Sequence, residues 1–144
     1  MDNGFHFKYL WSDSELYELR VVAWDGRFGG TADLYEPIGG LKESADKLKG
    51  FPSTLQDVRE VAFGTLSPDY GGGGISLRFF CTDAAGHAMV EAKIQCKDPR
   101  GLRMPNSAHF FSSVEPASLD RFVDELRNIE TNNGGSAFLA VAGP

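Results

Sequence analysis

A chain of 144 residues with 42% hydrophobic and 12% aromatic content is the size of one ordinary domain, long enough to bury roughly two thirds of its unfolded surface. A formal net charge of −6 argues against a nucleic-acid partner, because phosphate binding needs clustered Lys and Arg, and the nearest cluster, Lys97, Arg100 and Arg103, also carries Asp98. The opening MDNGFHFKYLW has an acid before any base and no long apolar run, no stretch reaches the length of a membrane span, and two cysteines are too few for a disulfide framework. A soluble protein of a reducing, cytoplasmic compartment is the expectation.

In ELYELRVVAWDGRFGGTADLYE, residues 15 to 36, Asp25-Gly26 separates two alternating runs, the strongest local hairpin signal. Pairing Trp24 with Arg27 sets Tyr17, Leu19, Val21 and Ala23 against Leu34, Ala32, Gly30 and Phe28 on one apolar face. The other face carries Glu18, Arg20, Thr31 and Asp33 together with Leu16, Val22, Trp24 and Tyr35. GLKESADKLKGFP then places Leu41, Ala45 and Leu48 at helical spacing, with Glu43 four before Lys47 and Gly50 and Pro52 as a stop. A short amphipathic helix is predicted, covering one side of a sheet.

Residues 57 to 66, DVREVAFGTL, read as a strand with Val61 and Phe63 on one alternation. Beyond Gly71 to Gly74, Ile75, Leu77, Phe79 and Cys81 alternate, as do Ala88, Val90, Ala92, Ile94 and Cys96. A four-residue loop from Asp83 to Gly86 puts Thr82 opposite His87, Phe79 opposite Val90, Leu77 opposite Ala92 and Arg78 opposite Glu91. A three-residue loop would set Leu77 against Lys93, so the pattern selects four. In this register Cys96 lies on the order of 26 Å along the sheet from Cys81, at about 3.3 Å per residue, too far for a disulfide. Both thiols fall on predicted core faces, where they act as small apolar groups.

NSAHFFSSVE supplies another strand. EPASLDRFVDELRNIE is the clearest helix, with Pro116 in the first turn and Leu119, Phe122, Val123, Leu126 and Ile129 on one stripe. Asn132 to Gly135 end it. Residues 1–130 are therefore expected to form a single α+β domain, a mainly antiparallel sheet of about six strands built from hairpins, with two helices packed on one side. Residues 131–144 are either a loose tail or a short extra strand.

Catalytic and cofactor signals are missing. The four glycines precede a strand rather than a helix, so they connect and do not cradle a phosphate. His6, His87 and His109 have no neighbouring ligand at metal spacing, and no Ser sits in a nucleophile elbow. Surface character remains: Trp24, Tyr35, Phe80 and Met89, interleaved with Glu18, Arg20 and Asp33, have the composition of an interface. The competing reading is that a helix or the tail covers this face as a second core layer.

The runs LRVVAWDGRFGGTADLYE, LKGFPST with DVREVAFG, ISLRFFCTDAAGHAMVEAKI and VEPASLDRFVDEL, which span most of residues 15 to 127, resemble small acidic bacterial proteins that include the WapI-type immunity family of polymorphic toxin systems. The resemblance implies an inhibitor that binds a toxin domain and assigns no functional residue. An acidic surface suits a basic nuclease as partner. The leading expectation is a non-enzymatic protein-binding module, without cofactor, contacting its partner through Glu18, Arg20, Trp24, Asp33, Tyr35, Phe80 and Met89. Two alternatives stand beside it. One is a small-ligand binder or enzyme with a pocket between sheet and helices, where His109 or His6 meets an acid from another strand. The other is a structural subunit whose sheet edge pairs with a copy of itself.

Overall fold

A computed structural model describes residues 1–67 and 72–143. The chain runs β1 (Gly4–Ser12), β2 (Leu16–Trp24), β3 (Gly29–Pro37), α1 (Gly40–Leu48), β4 (Val58–Gly64), β5 (Gly74–Cys81), β6 (Ala88–Gln95), β7 (Ser107–Val114), α2 (Pro116–Asn132) and β8 (Ser136–Ala140). It is an α+β fold. The strands form two antiparallel four-stranded sheets, ordered β3-β2-β1-β8 and β4-β5-β6-β7. Two sheets stand where one was expected, because β1 and β8, neither assigned firmly from sequence, complete the first of them.

Alternation decides which side of each sheet is buried. Phe5 and Phe7 of β1, Tyr17, Leu19 and Val21 of β2 and Leu34 of β3 point inward from the first sheet. Val61, Phe63, Ile75, Leu77, Phe79, Val90 and Phe110 point inward from the second. The Phe7 ring meets Phe63 edge-on at 4.8 Å and Phe122 of α2 at 5.3 Å, so sheets and helix share one core. The predicted stripes of both helices are the buried ones: Leu41, Ala45 and Leu48 on α1, and Leu119, Phe122, Val123, Leu126 and Ile129 on α2.

Successive residues of β3 meet successive strands of the second sheet. Glu36 Oε1 accepts the Gly64 N–H at the end of β4 at 2.7 Å, and the Asp33 carbonyl accepts the Gly73 N–H ahead of β5 at 2.9 Å. Gly30 lies beside Ile94 of β6. β3 thus runs across the ends of β4, β5 and β6, joining the sheets at a corner. The approach is too close for a side chain: a Cβ on Gly73 would stand 2.5 Å from the Gln95 carbonyl oxygen and 3.0 Å from Ala32 Cβ. Gly72 and Gly73 are therefore a connector and Gly74 opens β5, while Gly71 lies outside the described residues.

The β5–β6 hairpin has the predicted register, with Phe79 opposite Val90, Leu77 opposite Ala92 and Arg78 opposite Glu91. Thr82 N–H bonds the His87 carbonyl at 2.9 Å, closing the four-residue loop. The β2–β3 hairpin differs. Trp24 pairs with Gly29 and Val21 with Ala32, two residues from the expected register. Asp25 is the cause: its Oδ1 accepts the Arg27 and Phe28 N–H groups at 2.8 and 2.7 Å, and its own N–H bonds the Phe28 carbonyl at 3.0 Å. Gly26, with φ of 101°, completes a four-residue turn. A shift of two keeps every side chain on its face, so the inward set is unchanged apart from Phe28, which is exposed in the turn.

The segment after α2 is β8, paired antiparallel with β1. Its Phe138 N–H donates to Glu125 Oε1 of α2 at 3.0 Å, so the helix closes that edge of the sheet. Cys81 and Cys96 are free thiols, half-buried at the margin of the core rather than within it. No helix among the described residues is long and apolar enough to cross a membrane.

Candidate functional site

The outer face of the first sheet is built from rows that cross three strands. Trp11, Glu18 and Tyr35 lie opposite one another on β1, β2 and β3; then come Lys8, Arg20 and Asp33; then His6, Val22 and Thr31, extended by Phe138 of β8. Trp11 reaches this face through a bulge. The β1–β2 register slips between Tyr9 and Trp11, and the extra residue, Leu10, turns Trp11 outward where strict alternation would have turned it in.

Contacts within the rows hold the side chains in place. Trp11 and Tyr35 meet edge-on at 6.5 Å, and His6 stacks on Phe138 at 4.2 Å. Arg20 grips Asp33 with two bonds, Nε to Oδ1 at 2.8 Å and Nη2 to Oδ2 at 3.0 Å. With their side chains 49% and 42% exposed, water screens the pair and it adds little to stability, so its consequence is orientation. The Glu18 carboxylate, through its charge and a hydrogen bond, pushes the Tyr35 hydroxyl above its ordinary pKa. A groove of ≈ 810 Å³ runs over Glu18, Arg20, Val22, Thr31, Asp33 and Tyr35, walled by Gly72, Cys96 and Lys97.

Neither helix covers this face, since both bury their apolar stripes on the inner side. The terminal strand adds to the sheet's edge and leaves the face open. Of the seven residues expected at the interface, Glu18, Arg20, Asp33 and Tyr35 converge on the groove, and Trp24 lies on the same face at the end of β2. Phe80 and Met89 do not join them. They occupy the outer face of the second sheet, because each hairpin turns its apolar alternation toward the common core and its polar alternation away.

Around Phe80 and Met89 a second polar cluster forms. Glu91 accepts from Arg78 Nε at 2.7 Å and meets His109 Nε2 at 2.6 Å, and these two partners hold its carboxyl below the usual range, Arg78 the more strongly. The Arg78 guanidinium lies over the Phe80 ring at 4.5 Å. His109 thus meets an acid from a neighbouring strand, on the outer face, while the rings of Phe7, Phe63 and Phe122 pack against one another between the sheets and α2.

The most perturbed carboxyl is elsewhere. Glu36 is buried where β3, α1 and β4 meet, and burial, then the nearby Glu130 and Glu43 charges, raise its pKa to about 7 against the opposing Gly64 N–H bond. Glu130 accepts from the Tyr17 hydroxyl and from the Lys42 N–H at 3.2 Å. Desolvation and Glu130 together push that hydroxyl up to about 12. A smaller cavity of ≈ 490 Å³ opens between the β5–β6 turn, the start of α2 and Ala140 to Ala142, with Met89, Val114 and Pro116 among its walls and His87, Glu115 and Ser118 at its rim.

Trp11, His6 and Phe138 are not among the interface residues expected from sequence, which leaves β1 unassigned. The alternation of Phe5, Phe7 and Tyr9 in GFHFKYLW is the available signal for the strand, though not for the bulge that aims Trp11. No protein-family model, curated protein or solved structure matches the chain.

Proposed function

We propose that the chain is a non-enzymatic protein-binding module that acts by stoichiometric contact through the outer face of β1, β2 and β3, and that its partner is a toxin domain it neutralises, as the resemblance to WapI-type immunity proteins implies. The observation that carries this reading is the face, covered by neither helix nor the terminal strand, on which Trp11 and Tyr35 flank Glu18 while Arg20 and Asp33 hold each other with two bonds. Aromatic and Arg side chains already fixed in place lose little freedom on binding, which is the property of interface residues that dominate affinity. The cytoplasm, where such a toxin would act, is the compartment proposed.

The test is growth of a host expressing the neighbouring gene's product with and without this protein, paired with size-exclusion chromatography of the two purified proteins. Rescue together with a stoichiometric complex supports the reading, and Trp11→Ala and Arg20→Glu should each abolish both. Unchanged growth in every arm and no complex would reject it. A second reading, a small apolar ligand in the ≈ 490 Å³ cavity beside Met89, rests on that cavity alone. It predicts a ligand-induced thermal shift that Met89→Trp removes.

A further inference from the structure

Sheet edges are sites where another chain can add a strand, and folded proteins guard them. Three of the four edges here are guarded. The Asp33 carbonyl of β3 bonds Gly73, the Phe138 N–H of β8 is capped by Glu125, and β4 carries the charged Arg59 and Glu60 and gives its outward Gly64 N–H to Glu36. β7 differs from these three.

Two bonds define which way its backbone points. Cys96 N–H bonds the Asn106 carbonyl at 3.0 Å, continuing the β6–β7 register, and Ala142 N–H bonds the Ser113 carbonyl, also at 3.0 Å, from the far side. Antiparallel strands aim the backbone of alternate residues to alternate sides. Even-numbered residues of β7 therefore bond β6, while His109 and Phe111 present both N–H and C=O to the free side. No backbone partner meets them there among the described residues. Their side chains stand half-exposed.

The sequence of this edge carries none of the usual protection. Ser107–Val114, SAHFFSSV, contains no Lys, Arg, Asp, Glu, Pro or Gly, in a chain where 24% of residues are charged. An uncharged strand with two adjacent Phe residues has no like charge to set against itself across a two-fold axis. Ala142 already lies against one end of the edge as an added strand would.

We propose that β7 pairs antiparallel with β7 of a second copy, joining two β4–β7 sheets into one eight-stranded sheet. The Ser113 carbonyl is occupied, so the register that uses the free groups sets His109 opposite Phe111 of the other copy, exchanging both backbone bonds on each side of the axis. Phe110 then faces Phe110 at the centre. The contact is a strand pair alone, smaller than a standard interface, and its affinity falls in the micromolar range or weaker.

The test is analytical ultracentrifugation of the purified chain, with no partner present, from about 10 µM to about 1 mM, a span that brackets such affinities. The expected result is a concentration-dependent shift from monomer to dimer mass, with amide exchange at His109 and Phe111 slowing as concentration rises. Phe111→Lys places a charge on the edge, and Phe111→Pro removes an N–H that the fold itself does not use. Each should raise the dissociation constant at least ~10-fold while the circular dichroism and thermal midpoint of Phe111→Lys stay at the parent values. A wild-type chain that stays monomeric throughout, or a dimer unaffected by Phe111→Lys, would overturn the proposal.

Discussion

Replacing Glu36 with Gln should make the protein more stable at pH 8 and remove the part of the pH dependence between pH 5 and 8 that Glu36 contributes. Glu36 is 7% exposed, and the groups facing it from the packed elements are the Gly64 N–H of β4, Glu130 of α2 and Glu43 of α1. Its pKa rises from 4.5 to about 7, and at ~1.4 kcal/mol per unit the ionised form costs the folded state about 3 kcal/mol. The sign follows from proton uptake. The folded state holds the proton more tightly than the unfolded one. Below pH 4.5 the carboxyl is protonated in both states and costs nothing; stability then falls as pH rises toward 7 and levels above it. Gln keeps an acceptor for the Gly64 N–H and never ionises. Urea denaturation from pH 4 to 8.5, comparing midpoints at equal slope, measures the difference between the two proteins. That difference should grow by about 3 kcal/mol in favour of E36Q between pH 4 and 8. A difference independent of pH would refute the assignment, whatever the absolute stability of the variant.

Three further outcomes follow from the same packing. Gly73→Ala should destabilise by about 2 to 3 kcal/mol, measured by urea unfolding, because its Cβ would press on the Gln95 carbonyl and on Ala32 where the sheets join. Among the described residues the Ser112 hydroxyl is buried without a hydrogen-bond partner, so Ser112→Ala should leave stability unchanged or raise it by about 1 kcal/mol, and a loss larger than that would mean the hydroxyl is bonded. His87 Nδ1 lies 2.6 Å from Asp83 Oδ2, which raises the imidazole's pKa above 6.5; Asp83→Asn should return its titration, followed by NMR, toward that value, and no movement would remove the pair.

Local periodicity carried most of the elements. The β5–β6 loop was legible because only one loop length keeps Leu77 off Lys93, so pattern and register constrained each other. The β2–β3 turn offered no such conflict: registers differing by two put the same side chains inward, and what separates them is the Asp25 carboxylate gathering two backbone N–H groups, a contact that alternation cannot express. The division into two sheets was hidden for a related reason. It depends on β3 crossing the ends of β4 to β6, which rests on Glu36 reaching Gly64 and on Gly73 lacking a side chain, and neither residue stands out in a one-dimensional pattern.

On the candidate face, alternation reaches as far as the single hairpin. Outward positions on β2 and β3 identified Glu18, Arg20, Asp33 and Tyr35, and they do lie together. The same alternation on β5 and β6 identified Phe80 and Met89, which lie on the other sheet, since alternation says which residues share a side of one hairpin and nothing about which hairpins share a sheet. Trp11 required a third kind of information. Strict alternation from Phe5 and Phe7 would bury it, and a single extra residue at Leu10 sends it out to meet Tyr35. Deleting Leu10 removes the bulge yet leaves the Trp11 side chain directly after Tyr9, on the outward position opposite Glu18, so the aromatic flank of the groove should survive in a regular ladder. Tryptophan emission that stays at the parent wavelength would agree; a blue shift, reporting an indole turned into the core, would mean that the bulge itself and not the count of residues aims the ring.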